Sequence, residues 1–184
     1  MPAVPLPMGL YRIRAEMRVN GGERTLTFAC AENETPEHLA MKLAAYLSFW
    51  DEEMALDPGT KHPALAGQEF RPALLGVDAG GRVTVWGECG NTAMHKLGKV
   101  LRRWPDARVA LFKDSELKGR NARRDVDKEL PDPGRVEVYC WPGTSFRDWA
   151  GLLGEKTEVD GEAKGVGFNL VVNGQIYATD LLKM

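Results

Sequence analysis

Glu88 closes a strand-like run, Arg-Val-Thr-Val-Trp-Gly-Glu-Cys-Gly over residues 82–90, and a basic helix follows directly. Lys96, Lys99 and Arg103 fall at i, i+3 and i+7, on one face of a helix that opens at about Ala93. A strand-end carboxylate facing a lysine stripe can hold a metal ion and a phosphate. Carboxylate oxygens suit a hard divalent cation, and ammonium groups offset the phosphate charge. The same spacing also describes an exposed strand end followed by a solvated helix face. Spacing alone does not separate the two.

These residues need a scaffold, and the flanking sequence supplies one. The apolar run 71–78 and the strand at 82–90 are joined by Asp78-Ala79-Gly80-Gly81, a hairpin signal. In the helix at 93–104, Met94, Leu97, Val100, Leu101 and Trp104 form the inward stripe, and Gly98 is expected to allow close packing on a sheet. Pro105 ends that helix, and the strand at 108–112 completes a β–α–β unit. Nearer the N-terminus, strands at 10–19 and 24–30 flank Asn20-Gly21-Gly22. Thr35 and Pro36 then open a helix whose Leu39, Leu43, Tyr46, Leu47 and Trp50 face the core. Glu37 sits in its first turn, where an acid gains about 0.3–1 kcal/mol from the helix dipole. Residues 51–69 read as a long loop of the lid or flexible type, with His62 in solvent. Beyond the β–α–β unit come a polar peripheral helix (114–129), a strand (135–141), a short helix (145–153), a charged loop (157–164) and a hairpin of 168–172 with 175–179. Residues 1–8 are a Pro-rich, flexible lead. The expected fold is one α/β domain over 1–184, a mixed sheet flanked by helices.

A chain of 184 residues can build a sizeable core without disulfides or a structural metal. Cys30, Cys89 and Cys140 are widely spaced, with no CxxC or Cys/His pairing. That favours buried thiols in a reducing compartment over a disulfide framework or a zinc site. With no secretory h-region and no long apolar span, a cytoplasmic protein off the membrane is expected, as a monomer. Net charge is −2, but residues 95–124 carry ten Lys/Arg against three Asp/Glu, a local +7 that leaves −9 elsewhere. Such asymmetry marks either a phosphate-binding face or a solvated helix pair.

In order and spacing, these segments resemble the YaeQ family, a small bacterial group similar in fold to the PD-(D/E)XK nucleases. The resemblance rests on Pro72-Ala73, on Trp86-Gly87-Glu88-Cys89-Gly90, on Lys96 and Lys99, on Glu37, and on the closing Asn173-Gly174-Gln175-Ile176-Tyr177. It implies a PD-(D/E)XK-like fold, and a site in which Glu88, with Glu37 in support, holds magnesium or manganese. The usual lysine place, two residues after the acid, is Gly90. The resemblance therefore implies a migrated lysine, Lys99 first and Lys96 second. Where the pattern has Asp, this chain has Ala73, and Asp78 lies at the wrong end of the hairpin to replace it. A second carboxylate restored by Ala73→Asp is expected to face Glu88.

Two readings follow. One is a non-catalytic module on a degenerate nuclease-like fold, using Lys96, Lys99 and Arg103 to meet nucleic acid or an acidic protein. The other is a magnesium- or manganese-dependent phosphodiesterase or nuclease. The missing Asp favours the first, and the retained Glu with lysines favours the second. A nucleophilic Cys89 is disfavoured by its carboxylate neighbour.

Overall fold

A computed structural model describes residues 12–59 and 61–184; the Pro-rich lead and the first two residues expected in the opening strand lie outside the described residues. The expected mixed sheet is present twice. One sheet has five strands: β1 (Arg12–Val19), β2 (Gly22–Ala29), β8 (Lys156–Lys164), β9 (Gly167–Val172) and β10 (Gln175–Asp180), in the order β10-β9-β8-β1-β2. Its one parallel pair is β1 with β8. The other has six strands: β3 (Met54–Leu56), β4 (Leu74–Val77), β5 (Val83–Cys89), β6 (Arg108–Lys113), β7 (Val136–Cys140) and β11 (Leu182–Lys183), in the order β11-β7-β6-β5-β4-β3. In it β5, β6 and β7 are parallel to one another.

Helices fill the layers. α1 (Pro36–Ser48) packs with α4 (Ser145–Leu152) between the two sheets, and all nine residues from Leu39 to Leu47 are buried. A helix covered on every side needs apolar residues all round, which Leu-Ala-Met-Lys-Leu-Ala-Ala-Tyr-Leu supplies with one exception, Lys42. α2 (Met94–Arg103) and α3 (Glu116–Glu129) cover the far face of the six-stranded sheet, over a second core built on Leu75, Trp86, Val109, Leu111 and Val138. Arg135 pins the end of α2. Its guanidinium donates to the carbonyls of Leu101 at 2.9 Å, in the last turn, and of Trp104 at 2.8 Å and Ala107 at 3.1 Å, just beyond it.

Several expectations change. The charged loop at 157–164 is instead β8, hydrogen-bonded to both β1 and β9. Thr157, Val159 and Ala163 face inward while Lys156, Glu158 and Glu162 face out. The alternation is present, but Thr, Ala and Gly mask its apolar half. At Gly161 a Cβ would come within 2.4 Å of the Asn169 carbonyl, so β9 approaches there only because no side chain intervenes. The long loop at 51–69 contains β3 and a single 3-10 turn, Pro63–Leu65, whose Leu65 is buried. His62 is half-buried and its Nδ1 accepts from the Ala64 amide. Thr35 does stand at the start of α1, but its side chain makes no capping bond, and its carbonyl takes the His38 and Leu39 amides. Gly98 does not mark a close approach either, since an added Cβ would come no nearer than 3.8 Å to Leu130. All three cysteines are free, with Cys89 and Cys140 buried.

Candidate functional site

Period-two alternation along β5 sends Trp86 and Glu88 to the same face, toward α2. Glu88 is 7 % exposed. One of its oxygens, Oε1, accepts from the Trp86 indole Nε1–H at 2.8 Å, and the Lys96 ammonium lies 2.7 Å from the same atom. Lys96 also donates to the Arg71 carbonyl at 3.2 Å and sits 5.7 Å from the centre of the Phe70 ring. The carboxylate is thus fixed by a neutral donor and a cation. Glu88→Gln keeps the acceptor for Trp86 and removes the charge that holds Lys96. Because Lys96 is partly solvated, the expected loss is about 1 kcal/mol in urea unfolding, and no loss would show the pair to be energetically idle.

The other expected site residues do not join this pair. Lys99, one turn on, lies 3.3 Å from Glu69 and 5.2 Å from the centre of the Phe70 ring. Lys96 therefore meets Glu88, and Lys99 does not. Glu37 is exposed at the start of α1, which packs on the opposite face of the six-stranded sheet. Asp78 caps its own turn, its Oδ1 accepting the Gly80 and Arg82 amides at 2.9 Å. Ala73 does lie beside β5, with its amide donating to the Gly87 carbonyl at 2.9 Å. Its side chain belongs to the core between the sheets, with Leu74 and Cys89, whereas the Glu88 carboxylate turns the other way. Burial first, and then the Glu88 charge, push the Cys89 thiol well above its usual range, so it is no nucleophile.

The basic run is also less free than its sequence implies. Of its ten cations, Lys96, Lys99, Arg108, Lys118, Arg120, Arg123 and Arg124 all lie in ion pairs. That leaves three without an acid partner among the described residues: Arg102, Arg103 and Lys113. Acids of α3 just beyond the window, Asp125 and Asp127, supply part of the neutralisation.

A second ionic cluster, unforeseen from the sequence, lies on the α1 side. Lys42 has a side chain only 2 % exposed, and its ammonium contacts Glu34 and both oxygens of Asp57, at 2.8 and 3.0 Å. Glu34 also accepts the Ala31 amide at 3.2 Å, and the Asp57 amide donates to the Ala73 carbonyl at 2.9 Å. Burial alone would raise the Glu34 carboxyl, but hydrogen bonds from Lys42 and Ala31 outweigh it and hold it below its usual range. Burial would likewise lower Lys42, and its two carboxylate partners hold it above the ordinary lysine range instead. A lysine within the apolar stripe Leu39, Leu43, Tyr46, Leu47 was the available signal, since a buried charge needs a partner.

Among the described residues, no three His, Cys, Asp or Glu side chains gather where they could hold a metal ion. The magnesium or manganese site expected from the sequence does not fit these residues. Glu88 has no second carboxylate beside it, and Glu34 and Asp57 are taken by an ammonium. Also among the described residues, no helix is long and apolar enough to cross a membrane.

The architecture defines an α/β protein with two mixed sheets, one helical layer between them and another outside. No protein-family model matches the sequence, and no curated protein is detectably similar to it. Solved structures do match: the YaeQ protein from Xanthomonas axonopodis pv. citri superposes with a TM-score of 0.74 at 15% identity, over 95% of this chain and 97% of that one. YaeQ protein from Pseudomonas syringae gives 0.68 at 17% identity, over 96% and 97%. The fold of this chain is the YaeQ fold.

Proposed function

We propose that this chain is a non-catalytic binding module on the YaeQ fold, and that it meets nucleic acid through α2 and the segment before it. The observation that carries the first half is the Glu88–Trp86–Lys96 cluster. A carboxylate held by an indole and an ammonium, with no acid beside it, suits a structural pair rather than a metal-dependent nuclease. Phe70 favours nucleic acid over an acidic protein. Its half-buried ring is flanked by Lys96, Lys99 and His95, and Arg102 and Arg103 stand exposed further along α2. An aromatic ring among cations suits base stacking beside a phosphate backbone. Three free thiols fit a reducing compartment, and we place the protein in the cytoplasm.

Binding to a fluorescent single-stranded oligonucleotide tests this. Three phosphate contacts, from Lys99, Arg102 and Arg103, predict a slope of log K against log salt of about −2. Replacing all three with Ala should weaken binding and flatten that slope, and Phe70→Ala should weaken it about tenfold with the slope kept. Lys96 is left alone because Glu88 holds it. Equal affinity in the triple variant would end the nucleic-acid reading. In millimolar manganese the strand should stay intact, and cleavage lost in Glu88→Ala would establish the nuclease instead.

A further inference from the structure

Lys113 ends β6 on the face that carries Val109 and Leu111, and it is only 7 % exposed. Its ammonium donates to the Gly90 carbonyl, and among the described residues it forms no ion pair. Lys42, also buried, has two carboxylates. A buried ammonium without an acid at contact is costly, and burial pulls Lys113 below the ordinary lysine range; an anion bound at contact would offset that cost. Glu88 is held by Lys96, and Asp114 meets Lys118 at 2.8 Å through Oδ2, while its Oδ1 is buried without a hydrogen-bond partner.

Lys113 lines an open crevice of about 500 Å³ where the parallel strands β5 and β6 end and α2 and α3 begin. Ligands of open α/β sheets collect at this end of the strands. Lys118 and Asn121 line it from α3, and Asn91, Thr92 and Met94 from the α2 side. The one acid in its lining, Asp125, is paired with Arg124 at 3.1 Å. The Thr92 hydroxyl is withdrawn from water and has no hydrogen-bond partner. Ala93, before the first turn of α2, offers no side-chain cap; its carbonyl takes the Lys96 and Leu97 amides, and the Met94 and His95 amides have no acceptor among the described residues.

We propose that this crevice seats the dianionic phosphate of a phosphate monoester, with Lys113 as its buried counter-ion. Lys118 and Asn121 contact it from one side, and the Thr92 hydroxyl with the open end of α2 from the other. Donors arriving from three directions match tetrahedral phosphate oxygens better than a planar carboxylate. The lining of the crevice includes neither Phe70 nor the cations of α2, so the proposal does not rest on the nucleic-acid reading.

The test is the thermal midpoint in inorganic phosphate and in a nucleoside 5′-monophosphate, against chloride and acetate at matched ionic strength. At a hundredfold excess over Kd, the expected rise is about 5–10 °C. Lys113→Met should keep or raise the ligand-free midpoint, because a buried charge is replaced by an apolar chain of similar length, and should lose the phosphate response. Should that variant fail to fold, Lys118→Ala with Asn121→Ala, both exposed, should weaken phosphate about tenfold. A 5′-phosphorylated oligonucleotide against its 5′-hydroxyl form then separates a strand end from a free nucleotide, and a response to either meets the proposal. No rise in the native protein, an equal rise in acetate, or a rise kept in Lys113→Met would overturn it.

Discussion

Lys42→Ala should lower the stability of the protein by about 2–4 kcal/mol at neutral pH. The ammonium is almost wholly buried and offsets the charge of two carboxylates at once. Without it, Glu34 and Asp57 face one another across an empty volume at the edge of the inter-sheet core. Their partial exposure keeps the expected cost below that of a fully buried pair. The pH dependence carries the sign. Glu34 titrates below its ordinary 4.5, so its contribution is complete above that pH and fades as pH falls through the folded value. Lys42 titrates above its ordinary 10.5, so its contribution is complete below that and fades as pH rises further. Urea midpoints of native and variant protein should therefore differ most between about pH 5 and 10, and converge as pH falls through the depressed folded value of Glu34. A constant difference from pH 3 to 7 would mean that packing, not charge, gives Lys42 its worth.

Much of the scaffold was legible because its signals are local. Asn20-Gly21 and Asn173-Gly174 mark two hairpins, with positive φ at all four residues. The stripe from Met94 to Trp104 and the following Pro105 define α2 within the parallel β5–α2–β6 unit. What failed was non-local. β8 pairs with strands on both sides, yet its inward residues are Thr157, Val159 and Ala163, too weakly apolar to stand out among its charges. Helical spacing put Lys96 and Lys99 on one face, but only the packing of Phe70 and Glu69 against α2 divides them. The Glu88 pairing was half-written in the sequence, since Trp86 two residues earlier must share its face. Nothing local could reveal that Asp57, in a Pro-Gly turn, closes on a lysine from α1.

The position of Ala73 decides between the two readings, and Ala73→Asp is the sharpest probe of it. The resemblance to nucleases leads one to expect a carboxylate there to complete a metal site with Glu88. The structure leads to the opposite result. Ala73 is 7 % exposed, its amide and carbonyl are both bonded, and its side chain lies with Leu74 and Cys89 on the α1 side of the sheet. An aspartate there would be buried among apolar groups, on the face away from Glu88 and Lys96, and Lys42 already serves two acids. The expected cost is about 3–5 kcal/mol, that of an unpaired buried charge. Because burial raises such a carboxyl, the loss should be present above about pH 4 and relieved on acidification. Millimolar manganese should shift the thermal midpoint of native and variant protein equally, since metal stabilises a fold only by binding it. A larger shift in the variant, abolished by adding Glu88→Ala, would mean that the introduced carboxylate reaches Glu88 after all. A larger shift abolished by Asp57→Asn instead would put the metal on the α1 side, among Glu34, Asp57 and the new acid. Either would return this fold to metal chemistry, and an equal shift leaves Ala73 as what its surroundings make it, a small residue closing a core.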